Sequence, residues 1–170
     1  MAAPRPDLQP TLYGTRDLGA GCDHWIEVRD GDDSVRALFD RHYSRRPPVR
    51  GRPPSKLFVG PGEKLVLRTA DALAILVWRT FRSRDNQEGV NCAVFRNEGP
   101  HLSSDLLRAG MAAAWRRWPD TRLYTYVNPR RVRSPNPGYC FKRAGWRHCG
   151  RTAKGLHVLE CWPAGRRENP

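Results

Sequence analysis

The chain lacks a long hydrophobic run. Its longest nearly all-apolar stretch, residues 72–81, is far shorter than the roughly 20 residues that a membrane helix needs. No apolar segment follows the N-terminus, so the sequence predicts no secretory signal. We therefore expect a soluble protein that works in the cytoplasm and has no membrane-spanning segment.

Cysteine is scarce and its spacing is uninformative. No C-x-x-C motif occurs, and an odd number of cysteines in a reducing compartment disfavours a disulfide framework. His148 and Cys149 are adjacent, and neighbouring residues on a strand point to opposite faces, which argues against a shared zinc ion. We expect mostly buried or neutral thiols at Cys22, Cys92, Cys140, Cys149 and Cys161.

Acidic residues are also in deficit. The 170 residues include 30 Lys and Arg against 17 Asp and Glu, a formal net charge of +13. A hydrophobic fraction of 39% is enough for one packed core, which argues against wholesale disorder. An excess of this size favours a polyanionic partner, with nucleic acid ahead of an acidic membrane surface.

The pattern of elements predicts one folded domain. Residues 1–24 are expected to form an irregular arm, 25–162 the domain and 163–170 a polar tail. The order is strand, helix, several strands, helix, strand, helix, strand, strand, which indicates a mixed α/β or α+β class. The later strands are predicted as a strand pair or bulged strand at 57–68, a buried central strand at 72–81, and further strands at 89–96, 121–127, 147–152 and 156–162. Two later helices are predicted, one at 105–118 that is capped by Ser103 or Ser104 and a short one at 138–143.

The first helix is predicted to begin after Asp32 or Asp33 and to end near Ser44, because prolines follow. Its apolar face is predicted to run through Val35, Leu38, Phe39, His42 and Tyr43. His42 and Tyr43 are then either half-buried packing residues or a titratable pair beside a substrate. Histidine suits proton transfer near neutral pH, and the pair adjoins a basic loop, which favours function.

Two segments concentrate the positive charge. Residues 45–56 contain four prolines and no acid, so they predict a stiff, extended basic loop. Between Thr121 and Leu159 there is again no acidic residue, although nine basic ones occur. A run of basic residues is usually only a solvent-exposed face of a protein. Two such runs without compensating acids predict two surfaces that contact the phosphates of double-stranded DNA. The candidate DNA-binding residues are Arg45, Arg46, Arg50, Arg52, Lys56, Arg130, Arg131 and Arg133.

Two local motifs accompany this order of elements. The first, Arg96-Asn97-Glu98-Gly99-Pro100-His101, follows a strand and precedes a helix. The second, Asn136-Pro137-Gly138-Tyr139-Cys140-Phe141, leads to Gly145-Trp146. Together they resemble the GNAT N-acetyltransferases, which implies a single domain with a central twisted mixed sheet flanked by helices. In that family the first motif is R/Q-x-x-G-x-G/A and binds the pyrophosphate of coenzyme A. Pro100 and His101 depart from it, and Phe141 stands where a general-acid tyrosine is usual.

A narrower resemblance combines these motifs with His42-Tyr43-Ser44 and Ser103-Ser104. This set is similar to the Mom family of phage DNA-modification proteins, on a divergent GNAT fold. The resemblance implies transfer of an acyl or carbamoylmethyl-type group to N6 of adenine, which protects phage DNA from restriction in the host cytoplasm. It also implies catalytic roles for His42, Tyr43 and Tyr139. The donor-binding residues that it implies are Arg96, Gly99, Ser103 and Ser104.

Each of these residues also has an ordinary structural interpretation. Arg96 follows a buried strand and could be a strand-end charge, and Tyr139 could be a packing tyrosine. Ser104 and Asn136 are most simply helix caps. Tyr124, Tyr126, Trp146 and Trp162 could stack on a base, although a core role is more common for such aromatics.

Donor and function stay open at this stage. Acetyl-CoA supplies two carbons but no amide nitrogen, whereas N6-glycyl adenine is an isomer of the carbamoylmethyl product, which favours glycyl-tRNA. A metal such as iron, held by His42 and Tyr43, is not established by their spacing. The alternatives are an ordinary GNAT N-acetyltransferase acting on a protein or small molecule, and a non-enzymatic basic DNA-binding protein. The sequence leaves the oligomeric state open, a dimer included.

Overall fold

Seven strands form one mixed sheet in the computed structural model, which describes residues 21–165. The strands are β1 (Ile26–Val28), β2 (Glu63–Arg68), β3 (Ala74–Thr80), β4 (Val90–Asn97), β5 (Leu123–Val127), β6 (Arg147–Arg151) and β7 (His157–Cys161). The helices are α1 (Asp33–Asp40), α2 (Ser103–Arg117) and α3 (Tyr139–Arg143). The predicted mixed α+β class is confirmed. Most of the predicted arm and tail lie outside the described residues.

The strand order across the sheet is β1-β2-β3-β4-β5-β7-β6. Within residues 21–165, β4 and β5 pair in parallel and the other neighbouring strands pair antiparallel. None of the helices in this part of the chain is both long and apolar enough to cross a membrane. The single parallel pair lies near the middle of the sheet, where a crossover helix, α2, joins its two strands.

Each face of the sheet carries its own core. Leu76 and Trp78 of β3 point into the larger core, which α2 and α3 cover, and Ile75 and Val77 point into the smaller one under α1. All four side chains are fully buried, which confirms the predicted central strand. Helix α2 lies close to the sheet because Gly110 has no side chain; a Cβ there would meet Leu76 Cδ2.

Helix α1 begins as predicted and ends earlier than predicted. The Asp32 carboxylate accepts a hydrogen bond of 2.8 Å from the Ser34 N–H, which confirms Asp32 as the cap. The helix stops at Asp40, so the prediction that it extends toward Ser44 is wrong. At this point the backbone passes into a tighter turn, in which the His42 N–H donates to the Phe39 carbonyl at 2.9 Å, and the Arg96 guanidinium donates to the Arg41 carbonyl at 2.9 Å. His42 and Tyr43 consequently lie in a turn after α1, not on its apolar face.

Two further predictions need correction. Within residues 57–68 only Glu63–Arg68 form a strand, β2, so the predicted strand pair or bulged strand is wrong for 57–62. The chain turns there at Gly60 and Gly62, which adopt positive φ angles of 86° and 102°. Helix α2 is not capped by Ser103 or Ser104: its N-cap is Leu102, which makes no side-chain cap bond. Both serines lie inside the first turn, and Ser104 is buried there.

The short helix α3 is positioned by a glycine, not by the predicted cap Asn136. Its N-cap is Gly138, with φ 77° and ψ 18°. A Cβ at this position would lie 2.5 Å from Leu159 Cδ1 and 3.4 Å from Val127 Cγ2. Only glycine therefore allows α3 to pack directly against β5 and β7.

Gly138→Ala should destabilise the chain more than a matched change elsewhere. Gly155 has nearly the same φ, 79°, but a Cβ at that position would meet no heavy atom within 4 Å. We expect Gly155→Ala to lower the free energy of unfolding by about 1 kcal/mol, the strain of a left-handed residue. Gly138→Ala should cost about 2–4 kcal/mol, because the fully buried Leu159 must also move. Urea unfolding measures both; equal losses would contradict the tight packing of α3.

Candidate functional site

A pocket opens where β4 and β5 stop pairing. Their parallel ladder covers three residue pairs and ends at Cys92 and Thr125. On the other side of β4, the register against β3 shifts between Val77 and Trp78, which leaves Ala93 as a bulge. The pocket between the separated strands has a volume of about 630 Å³. This volume suits a small organic ligand such as a nucleobase.

Four parts of the chain form the pocket walls. β4 and β5 supply its floor, the turn after α1 covers one side, and the loop before α3 covers the other. This arrangement brings together all three residues that the resemblance assigns to catalysis. The walls include His42, Tyr43, Asn91, Cys92, Phe95, Thr125, Tyr126, Asn136, Tyr139 and Cys140.

His42 is buried at the edge of this pocket, with only 9% of its surface exposed. Its Nδ1 lies 2.7 Å from the Ser44 hydroxyl and accepts the Ser44 backbone N–H at 3.2 Å. Burial, followed by the charge of Arg96, lowers the pKa of His42 to about 4, and a bond to the Phe95 backbone acts in the opposite direction. His42 is therefore neutral near pH 7, with Nδ1 already engaged as an acceptor.

Tyr43 packs against this histidine, with ring centroids 4.5 Å apart. Its hydroxyl donates to the carbonyl of Tyr126 at 3.3 Å. Burial raises the pKa of Tyr43, while a bond from the Asn128 backbone lowers it. The phenol therefore keeps its proton at neutral pH and holds the turn after α1 against the end of β5.

Tyr139 is the most accessible of the three predicted catalytic residues. It is the first residue of α3, lines the pocket and has 56% of its surface exposed. Its hydroxyl has no hydrogen-bond partner within residues 21–165. Of the three side chains, it is the one that is free to exchange a proton with a bound substrate.

Asn91 is a site residue that the sequence did not reveal. It is 6% exposed in a pocket wall, and its Nδ2 has no hydrogen-bond partner in the described part of the chain. A buried amide donor without a partner is costly, so this group is suited to an acceptor on a ligand. The available signal was one polar side chain between Val90 and Cys92 in an otherwise apolar strand.

A carboxylate close to the pocket was missed as well. The Tyr126 hydroxyl donates to Asp85 at 2.6 Å, and burial together with this bond raises the pKa of Tyr126. Burial opposes ionisation of Asp85, but hydrogen bonds from Ser83 and Tyr126 outweigh it and lower the pKa of that carboxyl. Asp85 is thus ionised and fixes the orientation of the Tyr126 ring.

The thiols of the pocket are unreactive. Burial raises the pKa of both Cys92 and Cys140. Because the thiolate is the nucleophile, neither is activated at neutral pH. None of the five cysteines forms a disulfide within residues 21–165, and Cys22 and Cys92 are buried.

The structure places the predicted donor-binding residues outside the pocket walls. Arg96 donates to the Glu98 carboxylate at 2.6 Å, and Arg41 binds the same carboxylate at 2.8 and 2.6 Å. Hydrogen bonds from Arg41 and then Arg96 lower the pKa of Glu98 to about 2. Glu98, in the segment that would cradle a phosphate, is therefore ionised and engages both guanidinium groups.

The rest of this segment is also internally bonded. Asn97 accepts the N–H of Gly99 at 2.9 Å, and its Nδ2 donates to the carbonyl of His101 at 2.7 Å and to Ser103 Oγ at 3.0 Å. Ser104 is buried in the first turn of α2. Donor binding by Arg96, Gly99, Ser103 and Ser104 stays a prediction, and it would require these bonds to open.

The predicted DNA-binding residues lie on two exposed segments. Arg36 ties the 45–56 loop to α1 through the carbonyls of Lys56 and Ser55, each at 2.8 Å. Arg45 forms an ion pair with Asp40 at 2.7 Å. Among the described residues, no carboxylate pairs with the other candidates, which are Arg46, Arg50, Arg52, Lys56, Arg130, Arg131 and Arg133.

Two cations of the acid-free stretch between Thr121 and Leu159 already have a carboxylate partner, so they are not available for a phosphate. Arg122 and Arg147 both bind Glu160, each at 2.5 Å. Glu160 of β7 therefore neutralises part of the positive charge that the sequence predicted for one surface. The cations of this stretch that have no carboxylate partner within residues 21–165 lie on the loop after β5, on α3 and on the β6–β7 hairpin.

An iron site at His42 and Tyr43 does not fit the geometry. Nδ1 of His42 is occupied by Ser44, and the Tyr43 hydroxyl is bonded to the Tyr126 carbonyl. In residues 21–165 there is no group of three His, Cys, Asp or Glu side chains that could hold a metal ion. These two residues alone supply too few ligands for a structural iron site.

Replacing His42 should change how stability depends on pH. The pKa of His42 is about 4 in the folded chain against 6.5 for an unperturbed histidine, so the unfolded state binds the proton more tightly. The stability that the neutral His42 contributes to the folded state is complete above pH 6.5 and is lost as the pH falls toward 4. Over that range the free energy of unfolding measured with urea should fall by about 3 kcal/mol less for His42→Gln than for the wild type. Parallel pH profiles for the two proteins would contradict a neutral, buried His42.

No family model matches the chain, and neither does any curated protein or any solved structure. The resemblance to the Mom family and to the GNAT fold consequently rests on the motifs and element order of this sequence. What the site does has to be inferred from the chemistry of its own side chains.

Proposed function

We propose that the chain is a DNA-modifying transferase of the Mom type, which transfers an acyl or carbamoylmethyl-type group to N6 of adenine. The carrying observation is the pocket between β4 and β5, whose walls contain a buried amide with no hydrogen-bond partner within residues 21–165 together with the exposed Tyr43 and Tyr139. Two cationic segments with few carboxylates adjoin residues that line this pocket. A pocket with room for a base, beside cationic segments, is what an enzyme acting on a flipped base requires.

The topology supports a GNAT-like fold. A mostly antiparallel sheet with one parallel pair that separates around a bulge creates a cleft through the centre of the sheet. Both sides of the cleft then offer polar groups to two reactants. A donor and an acceptor can approach each other there from opposite faces.

Adenine fits the walls of this pocket. Tyr43, Tyr126 and Tyr139 offer flat apolar surfaces for stacking. The Nδ2 donor of Asn91 can bind a ring nitrogen, and the same side chain has an oxygen that accepts from an exocyclic amine. Asn91 is thus the residue that we expect to recognise the base.

The reaction needs a proton acceptor and an activated donor. N6 attacks the carbonyl carbon of an acyl ester or thioester, the N6–C bond forms, and the bond from that carbon to the leaving oxygen or sulfur breaks. The proton lost from N6 ends on the leaving group. We expect Tyr139, an exposed residue of the pocket wall, to relay that proton, while His42 and Tyr43 form part of the wall.

Glycyl-tRNA is the donor that we favour over acetyl-CoA. Transfer of its glycyl group gives N6-glycyl adenine, an isomer of the carbamoylmethyl product. Attack of the free glycyl amine on C6, followed by migration, interconverts the two without any further atom. A net charge of +13 also suits a protein that holds two nucleic acids.

The decisive test is the chemistry of the DNA. The protein is expressed with a plasmid, the DNA is digested to nucleosides, and these are analysed by mass spectrometry. We expect a deoxyadenosine of increased mass. Unchanged nucleosides from well-expressed, folded protein would overturn the proposal, and DNA binding without modification would support the non-enzymatic alternative.

Site variants sharpen this test. Tyr139→Phe should lower the yield of modified base by about 100-fold or more, the contribution of a proton relay. Asn91→Ala should also lower it, with the fold preserved. The control is Tyr124→Phe, the same change at a buried tyrosine outside the pocket walls. In a purified reaction, modification with acetyl-CoA alone would exclude glycyl-tRNA as the required donor.

The cationic segment after β5 has its own test. Replacing Arg130, Arg131 and Arg133 with Gln should reduce the slope of log affinity against log salt by about 1 for each phosphate that the variant no longer neutralises. Arg117→Gln is the control, because Glu63 already neutralises Arg117 at 2.8 Å. Fluorescence anisotropy with a duplex of random sequence measures both. An unchanged slope in the triple variant would remove this segment from the DNA interface.

A further inference from the structure

A second cluster of titratable groups lies beside the pocket on the β6–β7 hairpin. The rings of His148 and His157 meet edge to face, with centroids 5.1 Å apart. Arg151 is opposite His157 in the strand register, and Lys142 of α3 is close enough to influence the same histidine. We call these four residues the histidine cluster.

No carboxylate compensates this cluster. Within the part of the chain that the structure describes, none of its four members forms an ion pair. Glu160, on the same strand as His157, is engaged by Arg122 and Arg147. Burial and the positive charges of Arg151, His148 and Lys142 all lower the pKa of His157, which shows that the local potential is positive.

One polar atom of the cluster lacks a partner among the residues that the structure describes. Nδ1 of His157 is buried there and makes no hydrogen bond. A buried ring nitrogen with no partner is as costly as any orphaned polar group. Together with the uncompensated cations around it, this atom is suited to an anionic oxygen.

The cluster adjoins the pocket directly. Lys142 Nζ donates to the side-chain oxygen of Asn136 at 2.5 Å, and Asn136 lines the pocket. Leu156, which precedes His157, lines the pocket too. An anion bound at the cluster would therefore lie next to whatever occupies the pocket.

We infer that the histidine cluster binds one phosphodiester group of a nucleic acid, next to the nucleotide whose base enters the pocket. The placement next to that base rests on the proposed function, whereas the anion site itself does not. Arg151 and Lys142 supply fixed charge, and the two imidazoles donate hydrogen bonds that strengthen when they are protonated. The same two cations oppose a divalent metal ion between the histidines.

A histidine-lined phosphate site makes binding depend on pH. The phosphodiester favours the charged imidazoles, so binding takes up protons and affinity rises as the pH falls. The charged and titratable groups that face His157 are Arg151 and His148 of β6 and Lys142 of α3. Arginine and lysine keep their charge through this range, so the histidines carry the dependence.

The test is fluorescence anisotropy of the full chain with a duplex of random sequence at about pH 6 and about pH 8, at constant salt and without any donor. The wild type should bind about tenfold more tightly at the lower pH, as an average uptake of about half a proton across this range gives. His148→Gln combined with His157→Gln should reduce that ratio to about twofold or less. His24→Gln is the control, because its ring contacts His101 and not the cluster. A folded double variant with the wild-type ratio would overturn the inference.

A second variant tests the same site without replacing a buried side chain, so that a loss of binding is not confused with misfolding. Arg151 is exposed and has no carboxylate partner among the described residues, so Arg151→Gln should leave the near-UV circular dichroism unchanged. It should weaken binding at the lower pH and reduce the salt slope by about 1. An unchanged slope would remove Arg151 from the site and contradict the cluster as a phosphate site.

The outcomes separate the anion site from the proposed function. Proton-linked binding with unmodified nucleosides would overturn the adenine chemistry and keep the anion site. Modified nucleosides without proton-linked binding would overturn the anion site alone. An RNA duplex of the same length distinguishes the source: equal effects of the variants support a shared phosphodiester site, and an effect confined to RNA overturns its placement beside a DNA base.

Discussion

The early end of the ladder between β4 and β5 is the constraint on which the site depends. Beyond Cys92 and Thr125 the two strands no longer pair with each other, so peptide groups and side chains face a gap in the middle of the sheet. The bulge at Ala93 increases the bend of β4 at the same point. A central gap of this kind gives a buried site with rigid walls, because both strands remain anchored in the sheet by their other neighbours.

The ionic network around Glu98 sets one side of that gap. By binding Arg41 and Arg96, this carboxylate joins the end of α1 to the end of β4. The connection lies where α1 ends, just before His42 and Tyr43 of the pocket, and the charge of Arg96 helps to keep His42 neutral. Glu98, in a segment that resembles a phosphate-binding motif, thus links two elements of the fold and engages both guanidinium groups.

The distribution of charge is equally a result of tertiary pairing. In sequence, the stretch from Thr121 to Leu159 contains basic residues and no acid, which suggested one uniform surface. In the fold, Glu160 lies against two of those cations, while Lys142, Arg151 and the two histidines have no such partner among the described residues. The uncompensated charge therefore collects on the side of the hairpin that adjoins the pocket, beside exposed Arg130, Arg131 and Arg133.

The sequence by itself determined the elements, because hydrophobic periodicity, prolines and caps act locally: the central strand, the α1 cap at Asp32 and the order of strands and helices follow from it. It also predicted His42, Tyr43 and Tyr139 as a set, through motifs that resemble a family. Only the tertiary structure decided where α1 ends, which donors are already engaged and that Asn91 is unpartnered. These depend on contacts between residues far apart in the chain, such as Arg41 with Glu98, and no local pattern encodes the distance between them.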